Sequence, residues 1–344
     1  MLSSSSFLRF FSLFLTLAAL SRAADPAPGP SGYKLAASWR PGGEGRWDLL
    51  AVDSTAGRLY VTRENRLQVL DITTGALIGE VSGLNGAHGV ALVPSLHRGF
   101  ASSGRDNKVV VFDLATLTPV ADPIPAGTKP DAMAVDPATN RVFVMNGGSD
   151  NIIVIDPATA KAVGTIALPG APEMAVADGA GHLFVNLEDK NQTVAIDTHA
   201  LKVTSVWPLA PGASPSGLAL DPANHILFAA CANRHFILLD DTTGRIVADI
   251  PIGMRVDGAA FDPGTGYAFS PNGDGTLTVA AAGPDGHWKV IDTVPTKVGA
   301  RTIILDPATH ALYLPTADFG PPDASSHGRP KPLPGTFVVL KFTR

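Results

Sequence analysis

Seven polar residues stand at equivalent positions along this chain: Asp48, His88, Asp131, Glu173, Ser216, Asp257 and Arg301. Each interrupts a segment that is otherwise apolar. Two residues before three of them come Arg46, Lys129 and Arg255, which strand alternation places on the same side. Gathered in one place, these ten form a ring of mixed charge, and they are the candidate ligand-binding set. Carboxyls and an imidazole are the groups that move protons at neutral pH, and guanidinium groups hold anions. In an enzyme, His88 is the candidate general base and Asp131 or Glu173 the second acid or base. Arg301, Arg46 or Arg255 then holds an anionic group. A plainer reading stands beside this one. Arg46/Asp48, Lys129/Asp131 and Arg255/Asp257 can neutralise one another and form a solvated rim that needs no ligand.

The other titratable residues point to little chemistry. His97, His182, His225 and His310 each fall four residues after a recurring turn position, where other copies have Gly57, Asn140 and Gly266. Gly, Asn and His tolerate positive φ, so a left-handed turn explains all four. His199 and His287 fall in loops at the same end. His88, His235 and His327 remain at the other end. Their irregular spacing and the lack of an HxH or HExxH motif argue against a three-histidine metal site, so no metal or cofactor is expected. Cys231 is the one cysteine, which excludes an internal disulfide, a CxxCH haem attachment and cysteine-based metal binding. It sits in the apolar run Ile226 to Ala232 and reads as a buried, inert thiol. No P-loop, dinucleotide fingerprint or nucleophile elbow occurs.

The elements that position the ring come from a repeat. The turn position is Asp53, Val93, Asp136, Asp178, Asp221, Asp262 and Asp306, with successive gaps of 40, 43, 42, 43, 41 and 44 residues. An aromatic follows at Tyr60, Phe100, Phe143, Phe184, Phe228, Phe269 and Tyr313, and five copies end a later strand in Asp71, Asp113, Asp156, Asp197 or Asp240. Aspartates at turn starts bond the backbone just ahead, which explains them without a function. Each copy reads as four short strands, too few to bury both faces of a sheet alone. Radial stacking solves that problem, so the predicted fold is all-β: a seven-bladed β-propeller with four antiparallel strands per blade. Tyr33 to Trp39 resembles a fourth strand and Thr336 to Phe342 a third. Pairing them closes blade seven from both termini.

The segments Leu59-Tyr60-Val61-Thr62, Phe143-Val144-Met145-Asn146, Asn151 to Asp156 and Gly127-Thr128-Lys129-Pro130 resemble the YVTN-type (YncE-like) β-propeller repeat family. The resemblance covers nearly all of residues 33–344. It departs at Arg63, where the family's pattern has Asn, and at Ala280-Ala281-Ala282, where it has a strand-ending Asp. It implies an exported seven-bladed protein, related in fold to lactonase-type propellers, whose function does not transfer by fold alone.

Composition agrees with many short strands joined by turns: 45% apolar residues, 35 Gly and 29 Pro in 344 residues. Arg9, the apolar run Phe10 to Leu20 and Ser21-Arg22-Ala23 read as a signal peptide cleaved after Ala23, with 24–32 as a flexible lead-in. A periplasmic or secreted location follows. Cleavage leaves 24 basic against 31 acidic residues, which gives nucleic acid no electrostatic footing, and no membrane span is expected. The proline-rich insertion 317–335 lies between the second and third strands of blade seven and is a candidate lid beside Arg301. Three functions fit: a monomeric, non-catalytic protein binding a small polar ligand or an envelope protein at the channel mouth; a lactonase- or lyase-type enzyme acting on a sugar-like substrate there; or an interaction scaffold.

Overall fold

Seven four-stranded antiparallel sheets follow one another along the chain in a computed structural model that describes residues 29–322 and 330–344. The proposed signal peptide, the first part of the lead-in and His327 lie outside the described residues. Innermost in each blade are Trp47–Asp53, Ala87–Val93, Pro130–Asp136, Pro172–Ala177, Pro215–Asp221, Ala260–Asp262 and Ile304–Asp306. Each of these strands neighbours the next, and the seventh neighbours the first, so the blades close a ring around a central channel.

The turns form as their residues dictate. Asp136, Asp221, Asp262 and Asp306 each accept a hydrogen bond from the backbone N–H two residues on, and Asp71, Asp113, Asp197 and Asp240 accept from the N–H groups both two and three residues on. His97, His225 and His310 have φ of 53°, 57° and 59°, the left-handed geometry expected of them. His182 does not. The turn in blade four is one residue shorter, so Gly179 and Gly181 take the positive φ and His182 begins the next strand. There its Nδ1 bonds Asp178 at 2.7 Å.

The apolar interior is divided into seven buried clusters, and each spans the seam between two neighbouring blades. The seven repeat aromatics, Tyr60 through Tyr313, are all buried in these seams. Full burial of one such side chain contributes about 1.5–3 kcal/mol relative to exposure. Cys231 is buried with them, and burial pushes its thiol up to about 12, as suits an inert residue.

Blade seven closes as expected. Lys34–Trp39 pairs antiparallel with Val338–Thr343, which in turn pairs with Ala311–Thr316. Ser31, before the first strand, donates from both its N–H and its hydroxyl to Asp292 of blade six.

Candidate functional site

The polar ring owes its geometry to a backbone irregularity that recurs blade by blade. In blades one to five the register between the first two strands shifts by one residue: between Trp47 and Leu50, Ala87 and Val90, Pro130 and Met133, Pro172 and Ala175, and Pro215 and Gly217. Each shift is a bulge, and Asp48, His88, Asp131, Glu173 and Ser216 sit inside it. A bulge bends the strand and re-aims the extra side chain, which is how an otherwise apolar strand presents a polar group. The second strand supports the bulge chemically. The Thr62 hydroxyl accepts the N–H of Asp48 at 3.1 Å and donates to the carbonyl of Leu49 at 2.9 Å, and Ser102 accepts the N–H of Gly89 at 2.8 Å. In blades six and seven the inner strand is cut to three residues, so Asp257 and Arg301 lie in the segment before it.

The bulge also corrects the expectation for the basic residues. Lys129 and Arg255 have φ of 53° and 60°, so strand alternation does not run through them, and Arg46 precedes its strand. Lys129 and Arg46 are exposed, and the Arg255 guanidinium donates to the carbonyl of Gly273. Arg46 lines a cleft of about 220 Å³ with Arg63, Glu64, Lys331 and Phe337. The ion pairs of the ring run between blades rather than along one strand. His88 Nδ1 lies 2.6 Å from an Asp48 carboxylate oxygen, and Arg301 bridges to Asp257 at 3.1 Å. Ser216 is buried and donates to the carbonyl of Val256, so it joins blades five and six and offers no free hydroxyl.

The ring is stratified. Its arginines and lysine are exposed, whereas Asp48, His88, Asp131, Glu173 and Asp257 are half-buried. The structure brings together Asp48, His88 and Asp131, one from each of blades one, two and three. Asp131 lies 3.9 Å from His88 Nδ1, beyond hydrogen-bond reach, and accepts no hydrogen bond from any described residue. Its carboxyl is pushed up to about 7, by burial first and then by the charge of Asp48, with His88 opposing. About a third of its side chain remains exposed to solvent. Glu173 is pushed up further, to about 9, again by burial first and then by Asp131, Glu188, Asp257 and Asp48. Those partners sit on blades three, four, six and one, so Glu173 senses carboxylates around the ring. His88 is raised above its ordinary value, chiefly by its hydrogen bond to Asp48, against the opposing effect of burial.

Among the described residues, Asp48, His88 and Asp131 are the group of three whose donor atoms approach one another closely enough to share a metal ion. The other upper histidine, His235, lies on the third strand of blade five and bonds Asp249 at 2.8 Å, away from the channel.

The described parts of the insertion in blade seven form regular structure. Phe319–Pro322 and Pro330–Pro332 pair as a short antiparallel ribbon. Phe319 packs against Trp47 with ring centroids 6.0 Å apart and the planes tilted by 50°, and it covers Gly299, whose φ of 86° and lack of Cβ leave room for the ring. Lys297 bridges to Asp318 at 2.9 Å, and Gly335 donates to Glu44. The ribbon therefore rests on the seam between blades seven and one. Arg63 anchors the same region. It is fully buried, donates to the carbonyls of Gly42, Gly43 and Gly45 and to Gln68, and lies 3.7 Å over the ring of Phe337.

Sequence reasoning missed the hydroxyls of Thr62 and Ser102, the carboxyl of Glu188 and the role of Arg63. Thr62 closes the Leu-Tyr-Val-Thr phrase, so its recurrence as Ser102 was the available signal. No family model matches the chain, and no protein among curated sequences matches it. Among solved structures, the chain is similar to the hydrazine synthase of Kuenenia stuttgartiensis, with a TM-score of 0.67 and 16% identity over 88% of this chain and 96% of that one, a likeness that shows the seven-bladed propeller fold alone.

Proposed function

We propose that this chain is an exported, YVTN-type (YncE-like) propeller that binds a small polar ligand at the mouth of its central channel. The observation that carries the reading is the pair of carboxyls on Asp131 and Glu173, both set into the channel and neither accepting a hydrogen bond from a described residue. Half-buried carboxyls that no described donor engages are open to a ligand rich in polar groups, such as an amine or a polyol. Arg301, already paired with Asp257, adds one point of contact for an acceptor on the same ligand. A thermal-shift panel of amines, polyols, sugars and organic acids tests this. At least one member should raise the melting temperature of the parent and lose its effect in Glu173→Gln and Arg301→Ala. A panel without a hit, or a hit that survives both changes, refutes the reading.

One observation favours the enzymatic alternative, a lactonase- or lyase-type reaction on a sugar-like substrate. Asp48 fixes the His88 ring through Nδ1, an arrangement that orients an imidazole as a general base through Nε2. Opening of simple sugar lactones, abolished in His88→Ala, is the discriminating activity.

A further inference from the structure

We infer that Asp48, His88 and Asp131 form a binding site for one divalent transition-metal ion, an assignment that rests on the channel mouth being the binding site of the molecule. Each residue offers one ligand atom, and the three atoms lie within 4.8 Å of one another. Atoms bound tetrahedrally to a common ion at about 2.0–2.2 Å lie about 3.3–3.6 Å apart, so Asp131, 3.9 Å from His88 Nδ1, must draw in slightly and the 2.6 Å contact between His88 and Asp48 must open. The residues come from three consecutive blades, and each is held by the bulge of its own strand. The site is therefore built on the rigid inner strands rather than on loops.

The contact between His88 and Asp48 is by itself an ordinary hydrogen-bonded pair that needs no ion. Asp131 is what that pair does not explain. Its carboxyl points toward the same imidazole, lies at 3.9 Å, and has no donor among the described residues. It would complete a coordination set while completing no hydrogen bond. Glu188 adds negative charge near Asp131 and makes the mouth attractive to a cation. Of the cationic side chains there, Arg301 is already bridged to Asp257 and Arg105 to Glu64.

One imidazole and two carboxylates are a mixed nitrogen and oxygen donor set. Calcium and magnesium favour oxygen alone, so the set points to zinc, manganese or ferrous iron, and zinc should bind more tightly than manganese. An ion there would leave coordination positions open toward the channel for a donor atom of the small ligand.

The test uses the full chain after export, stripped with chelator and titrated with zinc and manganese chlorides by calorimetry, with metal content checked after dialysis. One ion per chain is expected, with zinc the tighter. Binding should weaken by at least roughly 10- to 100-fold, the loss that changing even an outer-shell partner causes, in Asp131→Asn, which keeps the shape of the side chain, and in His88→Gln. Cobalt substitution should give a visible absorption band in the parent that both variants lose. Melting temperatures of the metal-free proteins establish that the variants fold. Absence of stoichiometric binding overturns the assignment, as does binding that both variants retain. The ligand panel run on metal-free protein separates the two readings: a hit there without metal binding overturns the ion and leaves the polar-ligand site standing.

Discussion

Glu173 is the residue whose behaviour the ring controls most directly. Its folded carboxyl titrates near 9 against 4.5 for an ordinary glutamate, because burial and the carboxylates of Asp131, Glu188, Asp257 and Asp48 disfavour its charge. Between those values the folded chain holds a proton that the unfolded chain has released. Stability is therefore unaffected by Glu173 below about pH 4.5 and declines as pH rises toward 9. Channel water damps the effect without changing its sign. Glu173→Gln removes the titrating group, so its melting temperature should gain a few degrees on the parent between pH 5 and pH 9. Parallel curves of melting temperature against pH for the two proteins would show that Glu173 is ordinarily ionised. At the same scale Arg63 marks the largest departure from the repeat. Burial lowers its guanidinium to about 10, yet three glycine carbonyls and Gln68 hold it in place. Its extra length reaches the loop and the ring of Phe337, which the asparagines at the equivalent repeat positions, Asn146 and Asn272, could not span.

The bulge is the element that makes the site. An unbroken inner strand would alternate, and a polar residue at its end would gain no special direction. With an extra residue inserted, the backbone opens, and the hydroxyl of the second strand takes up the N–H and carbonyl that the ladder no longer pairs. Thr62→Val keeps the shape and removes that hydroxyl. It should cost about 1–3 kcal/mol in urea unfolding, the usual penalty for stranding buried backbone groups. Asp48 should also shift, and the His88 titration seen by NMR should fall toward that of a free imidazole. Unchanged stability with an unchanged His88 titration would mean that the bulge holds its shape without the hydroxyl. The ribbon of blade seven belongs to this scale as well. Its aromatic contact with Trp47 ties blade seven to blade one at the same seam the terminal strands close.

At the scale of the whole molecule, stability is distributed over seven seams, and no seam can be lost without opening the ring. Close approach of the inner strands is part of that closure. A Cβ on Gly217 would fall 2.3 Å from the backbone of Gly258 in the next blade, so glycine is required there. The clasp between Lys34–Trp39 and Val338–Thr343 completes the last blade without a disulfide. Removing residues 29–39 strips Tyr33 and Trp39 from the core and leaves Val338–Thr343 as an unpaired edge. The shortened chain should melt at least about 10 °C lower and self-associate in light scattering. A monomer of parental stability would show that the inter-blade seams hold the ring without the clasp.

The sequence by itself determined the seven blades, the turn aspartates, the buried aromatics and the terminal clasp. All of these follow from local periods and turn chemistry repeated seven times, so each copy interprets the others. It also marked the ring positions, because a polar residue at one fixed offset stands out against apolar neighbours. It did not determine how those side chains pair. Strand alternation predicted Arg46 with Asp48, Lys129 with Asp131 and Arg255 with Asp257. The one-residue bulge and the left-handed backbone at Lys129 and Arg255 break that alternation. Only the closed ring set His88 between Asp48 and Asp131, since the three stand 40 and 43 residues apart along the chain and meet solely because adjacent blades bring their inner strands side by side.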